Sequence, residues 1–162
     1  MSISDSSLSA ALRESSDALQ SVLRAILAVE RHYAPPLSPL EFLREITTSS
    51  EWVWLQPLYG LIADIDHALA GKDETLPASE VAAIGAHIRT LLSGPAVEGE
   101  RAFLDRYRSL LQHDTSVAIA HAQALQALRD LPPEATSEAE RLHAHHQWNE
   151  RRAHWRAGKK RV

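Results

Sequence analysis

Residues 40–69 read LEFLREITTSSEWVWLQPLYGLIADIDHAL, and this stretch decides the fold. It holds four of the nine aromatic residues of the chain, which are four Trp, three Tyr and two Phe, together with a dense aliphatic run. A helix that is apolar on nearly every side is buried inside a protein. We therefore expect residues 51–70 to form the central helix of the fold, with a kink at Pro57.

Composition indicates one folded helical domain. The chain has 162 residues, of which 44% are hydrophobic and 23% charged, as in ordinary globular proteins. It has no cysteine, which excludes disulfides, thiolate metal sites and cysteine nucleophiles. We expect no membrane span, because no apolar run is long enough, and a cytoplasmic location, because the first residues lack the features of a signal peptide.

The net charge of −4 conceals an uneven distribution. Residues 133–162 hold seven of the 17 Lys and Arg but four of the 21 Asp and Glu, which leaves −7 for residues 1–132. An acidic body binds phosphate backbones poorly, so nucleic acid is an unlikely partner. Any polyanion binding would fall on residues 141–161.

An apolar stripe with alternating spacings of four and three residues marks a long first helix. Asp5 or the serine before it can cap the start, and Pro35 and Pro36 end it. The pattern fits a bundle helix and also a homodimeric coiled coil. The stripe comprises Leu8, Leu12, Ser15, Leu19, Val22, Ile26, Val29 and Tyr33.

Start and stop signals place further helices along the chain. Ser38, Pro39 and Glu41 predict a capping box for a short helix that ends near Thr47. The remaining predicted helices are residues 77–93, 97 or 98 to 113, 114 or 115 to 131, and 137–157.

These elements predict an all-α fold. Residues 1–132 should form an antiparallel bundle of five or six helices, and residues 133–162 an appended polar and basic helix and tail. We expect that last helix to be too polar to contribute to the core.

The chain resembles an uncharacterised family of small bacterial helical proteins that share a W-x-W-L-x-P-L-x-x-L-I type phrase. The resemblance covers roughly residues 10–130 and implies an all-helical fold, with no assigned activity. The matching positions are Phe42, Leu43, Ile46, Trp52, Trp54, Leu55, Pro57, Leu58, Leu61, Ile62, Ile65 and Asp66, then Arg106, Tyr107, Leu110, Leu111 and Gln112, then Val117, Ala120 and His121.

Asp64 and His67 lie three residues apart, so that both side chains leave one helix face and could hold a metal ion. His121 on the sixth helix and Glu30 on the first could add ligands, as in helical-bundle iron proteins. The competing interpretation is structural: an acidic group near a helix C-terminus needs a partner such as His67 or an arginine. A single histidine on an alanine-rich face commonly makes one structural hydrogen bond.

The C-terminal segment is rich in histidine, and Glu140 and His143 have the Glu-x-x-His spacing. His145, His146 and His154 lie nearby. Clustered imidazoles take up zinc, nickel or copper in solution. We expect adventitious binding, because an exposed tail rarely builds the outer shell that a functional site needs.

Trp52, Trp54 and Tyr59 could line a ligand pocket beside Pro57, although aromatic residues at helical spacing are more often core. The chain has no G-x-S-x-G elbow, P-loop or G-x-G-x-x-G motif, so no catalytic residue is predicted.

Trp148, Arg152 and Trp155 share one face of the last predicted helix. They could stack on bases, lie on a membrane surface or dock into a groove, and we favour a partner helix.

Taken together, these features favour a non-catalytic interaction or regulatory module that self-associates through an apolar helix face. We expect an uncovered apolar patch on the first helix or around Trp148 and Trp155. The competing class is a small-molecule or metal-binding bundle that uses Asp64, His67 and His121; apart from that metal, no cofactor is expected.

Overall fold

The computed structural model describes residues 5–33, 36–71 and 76–159, and the only regular secondary structure among them is helical, with no strand. None of the described helices is both long enough and apolar enough to cross a membrane. The 3-10 helices are Ser50–Leu55 and Leu128–Asp130. The α-helices are α1 (Asp5–Tyr33), α2 (Pro39–Thr48), α3 (Gln56–Ala70), α4 (Ala78–Ser93), α5 (Arg101–His113), α6 (Thr115–Ala127) and α7 (Glu138–Lys159).

The long first helix is confirmed, and its apolar stripe lies inside the chain's own core. α1 spans 29 residues and packs mainly against α6 and α3. Leu12, Leu19, Val22 and Ile26 are fully buried there. This placement supports the bundle interpretation over the coiled coil, because the stripe is already covered. The side chain of Tyr33 and the residues before Asp5 lie outside the described residues.

The predicted capping box is confirmed at the start of α2. The side chain of Ser38 accepts a hydrogen bond from the backbone N–H of Glu41, and Oε2 of Glu41 accepts from the backbone N–H of Ser38 at 2.8 Å. Hydrogen bonding to its carboxylate from Ser38, first from the backbone N–H and then from the side chain, lowers the pKa of Glu41. The helix start is therefore fixed by two local bonds.

The single kinked helix predicted for residues 51–70 is wrong. A 3-10 helix, Ser50–Leu55, comes first, and α3 begins at Gln56. Pro57 lies in the first turn of α3, where its missing N–H has no helical acceptor to bond. The proline thus starts a helix instead of bending one, and Trp52 and Trp54 belong to the 3-10 segment.

Two other predicted boundaries also move. α5 begins at Arg101 instead of residue 97 or 98, after a turn in which Gly99 has φ +86°. Glycine adopts that left-handed conformation without strain, so this turn delays the helix. The second boundary is the end of α6. This helix stops at Ala127 instead of residue 131, and a tighter 3-10 helix, Leu128–Asp130, follows it.

The prediction that the last helix contributes nothing to the core is wrong. Trp148 is 1% exposed and Ala144 is also buried, so α7 places one narrow apolar stripe in the core that holds the α1 and α3 residues. α7 packs mainly against α4. A mostly polar helix can do this because two residues four apart share a face while the other faces stay in water.

Candidate functional site

Buried charge concentrates where α7 lies against α3 and α4. Asp64 of α3 is 6% exposed, and its Oδ2 accepts hydrogen bonds from Nε of Arg152 at 2.7 Å and from a terminal nitrogen of Arg156 at 2.9 Å. The expectation that an arginine would satisfy an acidic group near a helix C-terminus is confirmed for Asp64. A carboxylate held this way is a structural acceptor, because charge-assisted bonds offset its desolvation.

A second buried carboxylate, Glu80 in the first turn of α4, is 2% exposed. Arg151 donates to both of its oxygens, at 3.0 and 3.1 Å. This pair was not predicted, since an acidic residue in a first helical turn is usually explained by the helix dipole alone. The Arg151–Arg152 doublet close to Trp148 in the sequence could have indicated it, because arginine stems bury well next to a tryptophan.

These contacts change the expectation for the basic segment. Arg151, Arg152 and Arg156 neutralise carboxylates of the body, and only Arg156 remains largely exposed among the three. His87 lies beside them, with Nε2 3.2 Å from Glu100 and Nδ1 3.5 Å from Arg152. Three of the seven basic residues in 133–162 are therefore paired with carboxylates of the chain, while residues 160–162 lie outside the described residues.

The three predicted metal ligands do not converge. Asp64 bonds to arginines, His67 lies against the ring of Trp155 with centroids 4.5 Å apart, and His121 bonds to Tyr107. Glu30, the further carboxylate considered, accepts two bonds from Arg106. Within the described residues no group of three metal-ligating side chains forms. The structure therefore does not assemble the predicted metal site, because each side chain serves a different helix contact.

The histidines of α7 show the same pattern of local pairing. Nε2 of His145 contacts Glu134, and Nε2 of His146 lies 3.2 Å from Glu150 on the exposed face of the helix. A histidine that pairs with a single carboxylate is typical of a protein surface, and one such pair supplies only two ligands for a metal ion.

The fully buried Tyr107 and the half-buried His121 form a second kind of polar contact. The phenol oxygen lies 2.8 Å from Nδ1 of His121, so a neutral imidazole can accept the phenol hydrogen there. Burial raises the pKa of Tyr107, and burial lowers the pKa of His121. Both shifts favour the uncharged forms, as desolvation requires. The pair is a polar bond between α5 and α6.

The predicted ligand pocket of Trp52, Trp54 and Tyr59 does not form. Trp52 is buried edge-on against Phe42, with ring centroids 5.5 Å apart. Trp54 stacks on Phe103 at 6.3 Å, and Tyr59 is exposed. The three rings separate because two belong to the 3-10 helix and one to α3, and they do not share a face.

The predicted partner-binding face is covered by this chain. Trp148 lies in the core, Arg152 is held by Asp64, and Trp155 packs edge-on against Trp148 with ring centroids 6.0 Å apart. An outside partner could reach Trp148 only after α7 had left the bundle. Of the patch expected around Trp148 and Trp155, only the half-buried Trp155 therefore reaches the surface.

Exposed apolar side chains instead occur on α2 and the 3-10 helix that follows it. Leu40 is 68% exposed, Leu43 58% and Val53 59%. α2 and this 3-10 helix pack against each other. The dense apolar composition of residues 40–69 indicated an interior segment, yet Leu40 and Leu43 lie on a side of α2 that faces away from the buried Phe42, as helical spacing alone shows.

A groove of about 480 Å³ lies on the other side of α2, against α1. Its apolar floor includes Leu27 and Phe42, and Arg31 lies over the Phe42 ring, 5.9 Å from the centroid. The groove is lined by Arg24, Leu27, Ala28, Arg31, His32 and Phe42. It is an open cleft of the size that ligands and partner side chains occupy.

Comparison with known proteins adds no function to this geometry. No protein-family model, no curated protein and no solved structure matches the chain. The kinship inferred from the tryptophan and proline phrase stays a prediction, and the site has to be argued from its own residues.

Proposed function

We propose that this protein is a non-catalytic interaction module that self-associates through the outer face of α2 and the adjoining 3-10 helix. The observation that carries the proposal is the exposure of Leu40, Leu43 and Val53 on two elements that pack against each other, while the buried stripe of α1 and Trp148 of α7 lie in the core. Large apolar side chains grouped on one surface mark interaction sites.

The pattern of α2 suits a second copy of the same face. Leu40 and Leu43 are three residues apart, as are Glu41 and Arg44 beside them. In an antiparallel pair related by a two-fold axis, Leu40 of one copy meets Leu43 of the other, and Glu41 meets Arg44. The apolar contact would be small, so we expect weak and reversible association.

The engagement of the buried polar groups supports a structural role over a catalytic one. Asp64 and Glu80 bind arginines, and His121 binds Tyr107, which leaves these groups committed to helix contacts. A metal- or small-molecule-binding bundle using Asp64, His67 and His121 is the weaker alternative, because the three point to different partners. Stoichiometric metal in protein purified without an affinity tag would favour it.

Three further elements of the proposal come from the sequence. We propose that α1 to α6 form an antiparallel bundle against which α7 packs, that the protein acts in the cytoplasm, and that the tryptophan and proline phrase reflects kinship with the bacterial helical family. A protein partner other than a second copy is the alternative occupant of the α2 face.

Light scattering after size-exclusion chromatography tests the proposal. The double variant Leu40→Glu/Leu43→Glu should abolish self-association, because it places like charges at the centre of the pair. Leu142→Glu is the matched control, since Leu142 is a similarly exposed leucine on α7. Equal self-association of the double variant and the control would contradict the proposed face.

A further inference from the structure

The groove between α1 and α2 presents an ordered pattern of charge and apolar surface. Arg24, Leu27, Ala28 and Arg31 are spaced i, i+3, i+4 and i+7 along α1, so they form one stripe that faces the groove. The two arginines are therefore separated by two helical turns, roughly 10 Å of rise, with apolar surface between them.

The two arginines of this stripe differ from the arginines that join helices elsewhere in the molecule. Arg106, Arg151 and Arg152 each bind a carboxylate of another helix. Neither Arg24 nor Arg31 has a carboxylate partner within the described residues, and both are exposed.

Both guanidinium groups keep donors for an incoming anion. Arg24 uses one terminal nitrogen on the hydroxyl of Ser21, at 3.0 Å, and Arg31 lies over the ring of Phe42. A guanidinium that lies on an aromatic ring still presents the N–H groups of its edge, so Arg31 can bind a carboxylate while it stays over Phe42.

We infer that this groove binds an acidic amphipathic helix of a partner protein. Two carboxylates seven residues apart on such a helix would meet Arg24 and Arg31, and leucine-type side chains between them would enter the cleft over Leu27 and Ala28. A helix that docks in an apolar groove presents its anchors at i, i+3, i+4 and i+7, and such a helix lying alongside α1 would bring carboxylates at its i and i+7 positions opposite Arg24 and Arg31. The inference extends the proposed interaction function to a second surface and does not depend on self-association through Leu40 and Leu43.

A designed peptide tests the inference on the intact protein. The probe is an alanine-based helical peptide with two glutamates seven residues apart and two leucines between them, and its counterpart has lysines in place of the glutamates. Fluorescence anisotropy of labelled peptide should show about tenfold tighter binding of the glutamate peptide, from two exposed ion pairs. The preference should reverse for the double variant Arg24→Glu/Arg31→Glu.

Control variants separate this site from the α2 face. Leu40→Glu/Leu43→Glu should keep the peptide preference, whereas the arginine double variant should keep self-association. If the charge-reversed protein is misfolded by circular dichroism, Arg24→Gln/Arg31→Gln replaces it and should remove the preference. Equal affinity for the two peptides, binding of neither, or tighter binding of a single-stranded oligonucleotide than of the glutamate peptide would overturn the inference.

Discussion

Nε of Arg152 donates a hydrogen bond of 2.7 Å to Oδ2 of Asp64, and this contact joins the last helix of the chain to its central one. Residues 88 positions apart in the sequence meet there, beside the buried Trp148. The segment that composition marks as an appended basic tail is therefore an integral part of the packed structure. Its arginines act on the body of the same molecule, which leaves the α2 face as the proposed docking surface.

Removal of the Asp64 carboxylate should destabilise the protein strongly. Asp64→Ala leaves two arginines without their shared acceptor, one of them well buried, and we expect a loss of about 2–4 kcal/mol in the free energy of unfolding. Glu150→Ala is the control, because its pair with His146 is exposed on both sides, and it should cost under about 0.5 kcal/mol. Urea denaturation measures both. Similar values for the two variants would show that α7 is held by apolar contacts alone.

Truncation of Trp148 should show that α7 belongs to one cooperative core. We expect Trp148→Ala to cost about 3–5 kcal/mol, as large-to-small changes at fully buried aromatic sites do. Trp148→Phe should cost less, because the indole N–H has no acceptor among the described residues and no hydrogen bond is lost. Leu142→Ala, at an exposed position of the same helix, is the control. A Trp148→Ala protein as stable as this control would mean that α7 does not contribute to the core.

The Tyr107–His121 bond predicts a dependence of stability on pH. Burial lowers the pKa of His121 below its ordinary value of 6.5, so the folded protein binds that proton less readily than the unfolded chain. The stabilising contribution of the neutral imidazole is complete above the unfolded pKa and is lost as pH falls through the folded pKa. The wild type should therefore lose more stability on acidification through this range than His121→Gln. An NMR titration that places the pKa of His121 at or above 6.5 would contradict the assignment.

Arg106 combines two interactions that lysine cannot reproduce. It donates to both oxygens of Glu30, at 3.1 and 2.8 Å, and lies over the ring of Trp54, 4.9 Å from the centroid. Arg106→Lys should cost about 0.5–1 kcal/mol, a modest figure because half of the arginine is exposed, and should shift the Trp54 fluorescence. Arg101→Lys, on the exposed face of the same helix, should change neither. An unchanged Arg106→Lys protein would show that the stacking contributes nothing.

Much of the fold could be predicted because its signals are local. The period of the α1 stripe and the capping box at Ser38 depend on neighbouring residues alone, and both are confirmed. The kink at Pro57 was mispredicted because a proline inside an apolar run can either bend one helix or begin the next. The choice depends on the preceding segment, which tightens into a 3-10 helix.

The contacts between distant helices could not be predicted in the same way. Asp64 lies near the C-terminus of its helix, which indicated that it needs a partner, but nothing local distinguishes His67 from Arg152 as that partner. Helical spacing did indicate that Leu40 and Leu43 point away from Phe42. The apolar composition of residues 40–69 as a whole nevertheless favoured an interior location. That α2 lies at the surface, and so exposes Leu40 and Leu43, follows only from the tertiary structure.

Sedimentation equilibrium of the intact wild-type protein over a range of concentrations tests self-association through the α2 face most directly. The proposal predicts a reversible monomer–dimer equilibrium that Leu40→Glu/Leu43→Glu abolishes and Leu142→Glu leaves intact. A wild-type protein that stays monomeric at the highest concentrations, or a dimer that survives the double substitution, would contradict it.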